Sequence, residues 1–130
     1  MSDVFKLHGD VSLGGSGGCG SSSSGSPNVI MSLDETMALA KAAVIGEYSL
    51  TTDAVQVVSF GGIATAALVI IKVIGGKVKA RFTSADGATQ AIPVDSLALI
   101  LSGSVPYTAL DLTRVSGVSV VVKVTLGEKA

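Results

Sequence analysis

The chain has 130 residues, 48% of them apolar, with nine Lys or Arg against ten Asp or Glu and a formal net charge of −1. One His, one Cys and no Trp leave few of the groups that move protons or hold metals, so the composition argues against an enzyme and calls for no cofactor. The charge balance supplies no positive field for a phosphate backbone, which argues against a nucleic-acid partner, and the length is that of one domain with one core.

The first eight residues, Met1 to His8, contain no basic segment followed by a long apolar run. They do not read as a secretory signal, and synthesis and residence in the cytoplasm are expected. Cys19 has no second cysteine to bond within the chain, which leaves a reduced thiol or a bond to another copy. Cys19 lies in residues 14–27, where every other position except Pro27 is Gly or Ser. Such a stretch has little to bury and reads as a flexible connector spanning roughly 20 Å, enough to let residues 4–13 dock on a neighbouring molecule. Gly15, Gly17 and Gly20 satisfy a G-x-G-x-x-G spacing. Serines and Pro27 follow in place of the helix that would present N–H groups to a pyrophosphate, and no Gly-Lys-Ser/Thr completes a P-loop, so nucleotide binding is not expected. Residues 1–28 are therefore read as an N-terminal arm.

Residues 29–46 carry the one helix signal. Ser32-Leu33-Asp34-Glu35 fits a capping box, residues 36–45 are rich in Ala and Leu, and Gly46 is a natural stop. Leu33, Met37, Ala40 and Val44 fall on one face at spacings of three and four. The spacing predicts a short helix that covers a sheet edge or meets a partner.

Residues 47–130 change to a period of two, with turn signals about every ten residues. That is the pattern of an antiparallel sandwich or barrel, and a sandwich, jelly-roll or Ig-like, is the expected fold. Strands are predicted near 48–52, 55–60, 65–74, 77–83, 88–94, 97–101, 108–112 and 118–126. Gly75-Gly76 predicts a tight hairpin between the third and fourth of these, because both central positions of a primed turn favour φ > 0. Asp86-Gly87 predicts a second, and Asp95-Ser96 an Asx-type turn. Val78, Ala80 and Phe82 should face inward with Lys77, Lys79 and Arg81 outward, and Val118, Val120, Val122, Val124 and Leu126 should share one face. Leu97 to Leu101 is uninterrupted apolar sequence and reads as a strand buried on both faces, in the sheet or in an interface.

No candidate catalytic, cofactor-binding or metal-binding set emerges from these residues. His8 precedes the Gly/Ser stretch, where the tolerance a triad demands is hard to hold, and two Cys or His in total cannot make a structural zinc site. Asp53, Asp86, Asp95 and Asp111 are dispersed, without a D-x-D-x-D-G loop. The Lys77, Lys79, Arg81 stripe could hold an acidic surface but also suits a strand kept soluble and unpaired. With Phe5, Tyr48, Phe60, Phe82 and Tyr107 as the only aromatics, stacking on carbohydrate has little support. Residues 60–74 are strongly apolar, yet Lys72 and the flanking glycine pairs keep the run short of a membrane span. The mean hydropathy of +0.63 points to apolar surface covered by other subunits.

Residues 48–130 carry Val58-Ser59-Phe60-Gly61-Gly62, Ser84-Ala85-Asp86-Gly87-Ala88-Thr89-Gln90, Ile92-Pro93-Val94-Asp95-Ser96 and Pro106-Tyr107-Thr108-Ala109-Leu110-Asp111-Leu112. In these stretches the chain resembles small β-sandwich virion proteins of tailed bacteriophages, which are commonly poor in His, Cys and Trp and reach neighbouring subunits with an arm. The resemblance covers about two thirds of the chain, and it carries over no functional residue. It implies a structural role in a virion as a capsid decoration or cement protein, or as a tail, baseplate or fibre component. The partners it implies are further copies and major capsid or tail proteins, with no nucleic acid and no membrane. A soluble ligand-binding β domain, its pocket at strand ends near Asp95 and Tyr107, is the alternative from another class.

Overall fold

The computed structural model describes residues 4–13, 28–102, 104–115 and 117–130. Their backbone falls into two units, Val4–Ala38 and Leu39–Ala130.

The first unit is a two-stranded antiparallel ribbon. Strand β1 (Val4–Leu13) pairs with β2 (Asn28–Ala38), Val4 opposite Ala38 and Leu13 opposite Asn28, with a register shift between Val11 and Ser12. Residues 4–13 are thus a strand paired within their own chain. One expectation is corrected. The helix expected over 29–46 is absent, since Ser32 lies opposite Asp10 and Glu35 opposite Leu7 in the ladder. A helix of some dozen residues is marginal without a packing surface, whereas a ladder takes up the backbone of both ends of this segment, β1 pairing with residues up to Ala38 and β10 with those from Val44. Gly46, expected as a helix stop, sits inside a strand, and the Tyr48 ring crosses it, 3.0 Å from where a Cβ would stand. The Gly/Ser stretch, Cys19 and the G-x-G-x-x-G spacing lie outside the described residues.

The second unit contains β3 (Val44–Leu50), β4 (Gln56–Val57), β5 (Leu68–Ile74), β6 (Val78–Ser84), β7 (Thr89–Val94), β8 (Leu97–Leu101), β9 (Tyr107–Arg114) and β10 (Val120–Gly127). Each of the eight strands overlaps one of the eight runs predicted by alternation, but β3 starts at Val44, inside the expected helical segment, and β4 keeps only two of the six residues predicted. They form two four-stranded antiparallel sheets, β3-β10-β5-β8 and β4-β9-β6-β7, here sheet I and sheet II. The pairing has a simple logic. β3 pairs with β10, β4 with β9, β5 with β8 and β6 with β7, which is one long hairpin with its tip at Asp86-Gly87. Rolling that hairpin adds the pairs β5 with β10 and β6 with β9.

At the tip, Gly87 has φ +91°, its N–H donates to the Ser84 carbonyl at 2.9 Å, and Asp86 Oδ1 accepts from Ala88 N–H at 3.0 Å. The predicted Gly75-Gly76 hairpin is overturned, because β5 and β6 belong to different sheets. The glycines serve the crossing itself. Gly75 has φ +96° and a Cβ on Gly76 would collide with Val120 Cγ1, so the chain passes close under β10 only without side chains.

Inward residues of both sheets form one cluster. Val69, Ile71, Val73, Val120, Val122, Val124 and Leu126 come from sheet I, and Val78, Ala80, Phe82, Val94, Leu110 and Leu112 from sheet II. Val78, Ala80 and Phe82 are buried while Lys79 and Arg81 are exposed, as the alternation requires. Val118, expected to join the inward row, precedes β10 and is half exposed.

Candidate functional site

With the inward residues committed to the core, the outward ones define what the body can offer a partner. The two outer faces differ.

On sheet I the register places Ile45, Thr125, Ile70 and Leu99 in one row, Glu47, Lys123, Lys72 and Leu97 in the next, and Ser49, Val121 and Ile74 in a third. Four of the apolar members are open to solvent, Ile45 at 77%, Leu97 at 63%, Ile74 at 45% and Leu99 at 38%. The charges lie in the middle row, where Lys123 Nζ is 3.9 Å from Glu47 Oε2. Lys72 stands beside Lys123 in that row. This face is mainly apolar, and it costs free energy to leave it in water.

On sheet II the outer face carries Lys79 opposite Thr113 and Arg81 opposite Asp111. Arg81 Nη2 donates to Asp111 Oδ2 at 2.6 Å, and the Asp111 side chain is only 18% exposed. Val55, Lys79, Arg81, Asp111 and Thr113 line a shallow depression of about 120 Å³, room for a few waters and below the roughly 300–1,000 Å³ of small-molecule pockets. This face carries Lys79 and the Arg81–Asp111 pair, with Val55 and Val57 also open to solvent at 56% and 63%.

Each sequence-selected residue can now be placed. Of the basic stripe, Lys77 faces Asp95 at 3.8 Å and Arg81 holds Asp111. The four aspartates do not converge. Asp53 accepts from Arg114 Nε at 2.9 Å, Asp86 caps the β6–β7 turn, and Asp95 and Asp111 are the partners just named. Asp95 therefore points its carboxylate at Lys77, where an Asx-type turn was expected.

His8 lies opposite Asp34 on the ribbon, Nδ1 4.0 Å from Oδ1, with both side chains exposed. Tyr107 packs its ring against Phe82 at 4.9 Å between centroids. Tyr48, Phe60 and Tyr107 all lean on the core, and the Tyr48 hydroxyl accepts from Ser59 N–H at 3.0 Å. These aromatics are structural.

The pocket expected near Asp95 and Tyr107 does not assemble. Val94, next to Asp95, pairs with Val78 at one end of β6, and Tyr107 pairs with Ser84 at the other, which sets them roughly 20 Å apart along the strand. Leu97 to Leu101, expected to be buried on both faces, forms the edge strand of sheet I with Leu97 and Leu99 open. The apolar face was not recognised from sequence. Its signal is present in β5, where Lys72 marks the outward parity shared by Ile70 and Ile74.

No protein-family model, no curated protein and no solved structure matches this chain. Among the described residues no helix is long and apolar enough to cross a membrane.

Proposed function

We propose that the chain is a non-enzymatic structural subunit of a tailed-phage particle, a capsid decoration or cement protein made in the host cytoplasm and acting by subunit–subunit assembly. The observation that carries this reading is the outer face of sheet I, where Ile45, Ile74, Leu97 and Leu99 stand open to solvent, a larger exposed apolar set than the Val55 and Val57 of sheet II. A protein that keeps one face wet and leaves the other greasy is built to be covered on one side.

We read the rolled hairpin as a jelly-roll β-sandwich, an architecture that viral shells share with lectin and cupin domains. The fold is an analogy and fixes no function by itself. It agrees with the sequence resemblance to small virion proteins. In this role the core makes a rigid platform and the sheet I face is buried against other copies or a host lattice.

The test is direct. Antibodies raised against the chain should decorate phage particles banded on a density gradient, at many copies each. Particles that carry no label, with all of the chain left in the soluble lysate, would contradict the proposal.

A further inference from the structure

Two four-stranded sheets present four edge strands, and three of them carry devices that discourage pairing with another chain. β4 is two residues long, β7 contains Pro93, and β3 contains Gly46 and Glu47. Shortness, proline and charge are the usual protections of an edge. β8, Leu97-Ala98-Leu99-Ile100-Leu101, has none.

Its backbone is also poised outward. Val73 N–H donates to the Ser96 carbonyl at 2.8 Å and Ser102 N–H to the Ala67 carbonyl at 2.7 Å, so the even-numbered residues of β8 serve β5. By the alternation of an antiparallel ladder, the N–H and C=O groups of Leu97, Leu99 and Leu101 point away from the sheet.

We propose that β8 pairs antiparallel with β8 of a second copy about a twofold axis at Leu99, joining two sheets I into one continuous sheet. The inference deepens the assembly reading and rests on it only in supposing that the open apolar surface is covered by another chain. The choice of a second copy as occupant comes from the strand itself. With Leu99 opposite Leu99, Leu97 meets Leu101 on the outer face, and Ala98 meets Ile100 on the core side, small against large. The outward groups of three residues in each copy then form six hydrogen bonds, whereas moving the axis to Ala98 or Ile100 leaves four. No charge lies within β8, so the twofold brings no like charges together. The joined strands also merge the two apolar rows that contain Ile70 and Leu99. An isologous contact of this kind closes after two copies.

Sedimentation velocity on the full chain tests it. The expected wild-type species has twice the monomer mass of 12.9 kDa. Leu99→Pro removes an N–H that β5 does not use, and Leu99→Lys sets two ammonium groups against each other across the axis. Each should raise the dimer dissociation constant by about 100-fold, with circular dichroism confirming the β fold of whichever variant is scored. A wild-type chain that sediments only as a monomer, or a dimer indifferent to both substitutions, overturns the inference. The virion reading fails separately. A β8 dimer never found in particles removes that reading alone, and a chain incorporated into particles while monomeric in solution removes this inference alone.

Discussion

The two outer faces of the body are built by the same rule and come out opposite. Both sheets send alternate residues into one core, so both outer faces are merely what is left over. On sheet II the remainder is Lys79, Arg81, Asp111 and Thr113, with the largely buried Asp111 held by Arg81, and with Val55, Val57, Ala91 and Pro93 around them. On sheet I it is Ile45, Ile70, Ile74, Leu97 and Leu99 around a short charged row. Core packing cannot explain this difference, because neither set touches the core.

The core common to both faces should respond most strongly to change. Phe82 is buried in the core and packs at a tilt of 49° against Tyr107, and Phe82→Ala is expected to cost about 3–5 kcal/mol. Chemical denaturation should show both sheets lost in a single transition. Separate transitions would break the comparison by showing that the faces belong to independently stable layers.

Gly76→Ala comes next. Its Cβ meets Val120 Cγ1 under β10, and overpacking of that kind costs about 1–3 kcal/mol. The same denaturation measurement checks it, and an unchanged midpoint would mean that the β5–β6 crossing is looser than the structure has it.

Substitutions on the two faces should separate stability from association. Arg81→Ala on sheet II removes an ion pair whose Arg is well exposed and should cost about 1 kcal/mol or less, shrinking as salt is added. Ile45→Lys with Ile74→Lys on sheet I should alter unfolding by only about 0.5 kcal/mol. The double variant should, however, bind less of a dye that reports exposed apolar surface. Equal dye binding by the wild type and this variant would erase the contrast between the faces.

The strands of the body were legible because each has one face in the core, and period-two alternation records that directly. Their partners were not. Gly75-Gly76 and Asp86-Gly87 are both good turn signals, yet only the second closes a hairpin. The first is shaped by Val120, some forty positions away in sequence, and no local pattern reports it. The helix expected from Ser32 to Gly46 failed for the same reason. Its capping box is real as a local preference, but β1 lies beyond the Gly/Ser run and outbids it with a ladder. Leu97 to Leu101 shows the limit of apolar runs, since a strand buried by its own sheet and a strand waiting for another chain read alike. The outward placement of Lys77, Lys79 and Arg81 was legible, but the pairing of Lys77 with Asp95 and of Arg81 with Asp111 was not. The apolar face was hidden because it is assembled from four strands, one of them, which carries Ile45, starting inside the expected helix at Val44.

Amide hydrogen exchange, resolved by residue on the assembled protein, tests most directly whether the body is covered on the sheet I side. The account predicts strong protection at Leu97, Leu99 and Leu101, whose amides β5 leaves free, together with rapid exchange at the outward amides of β7. Rapid exchange at those three leucines in the assembled state, with protection appearing along β7 or β4, would contradict it.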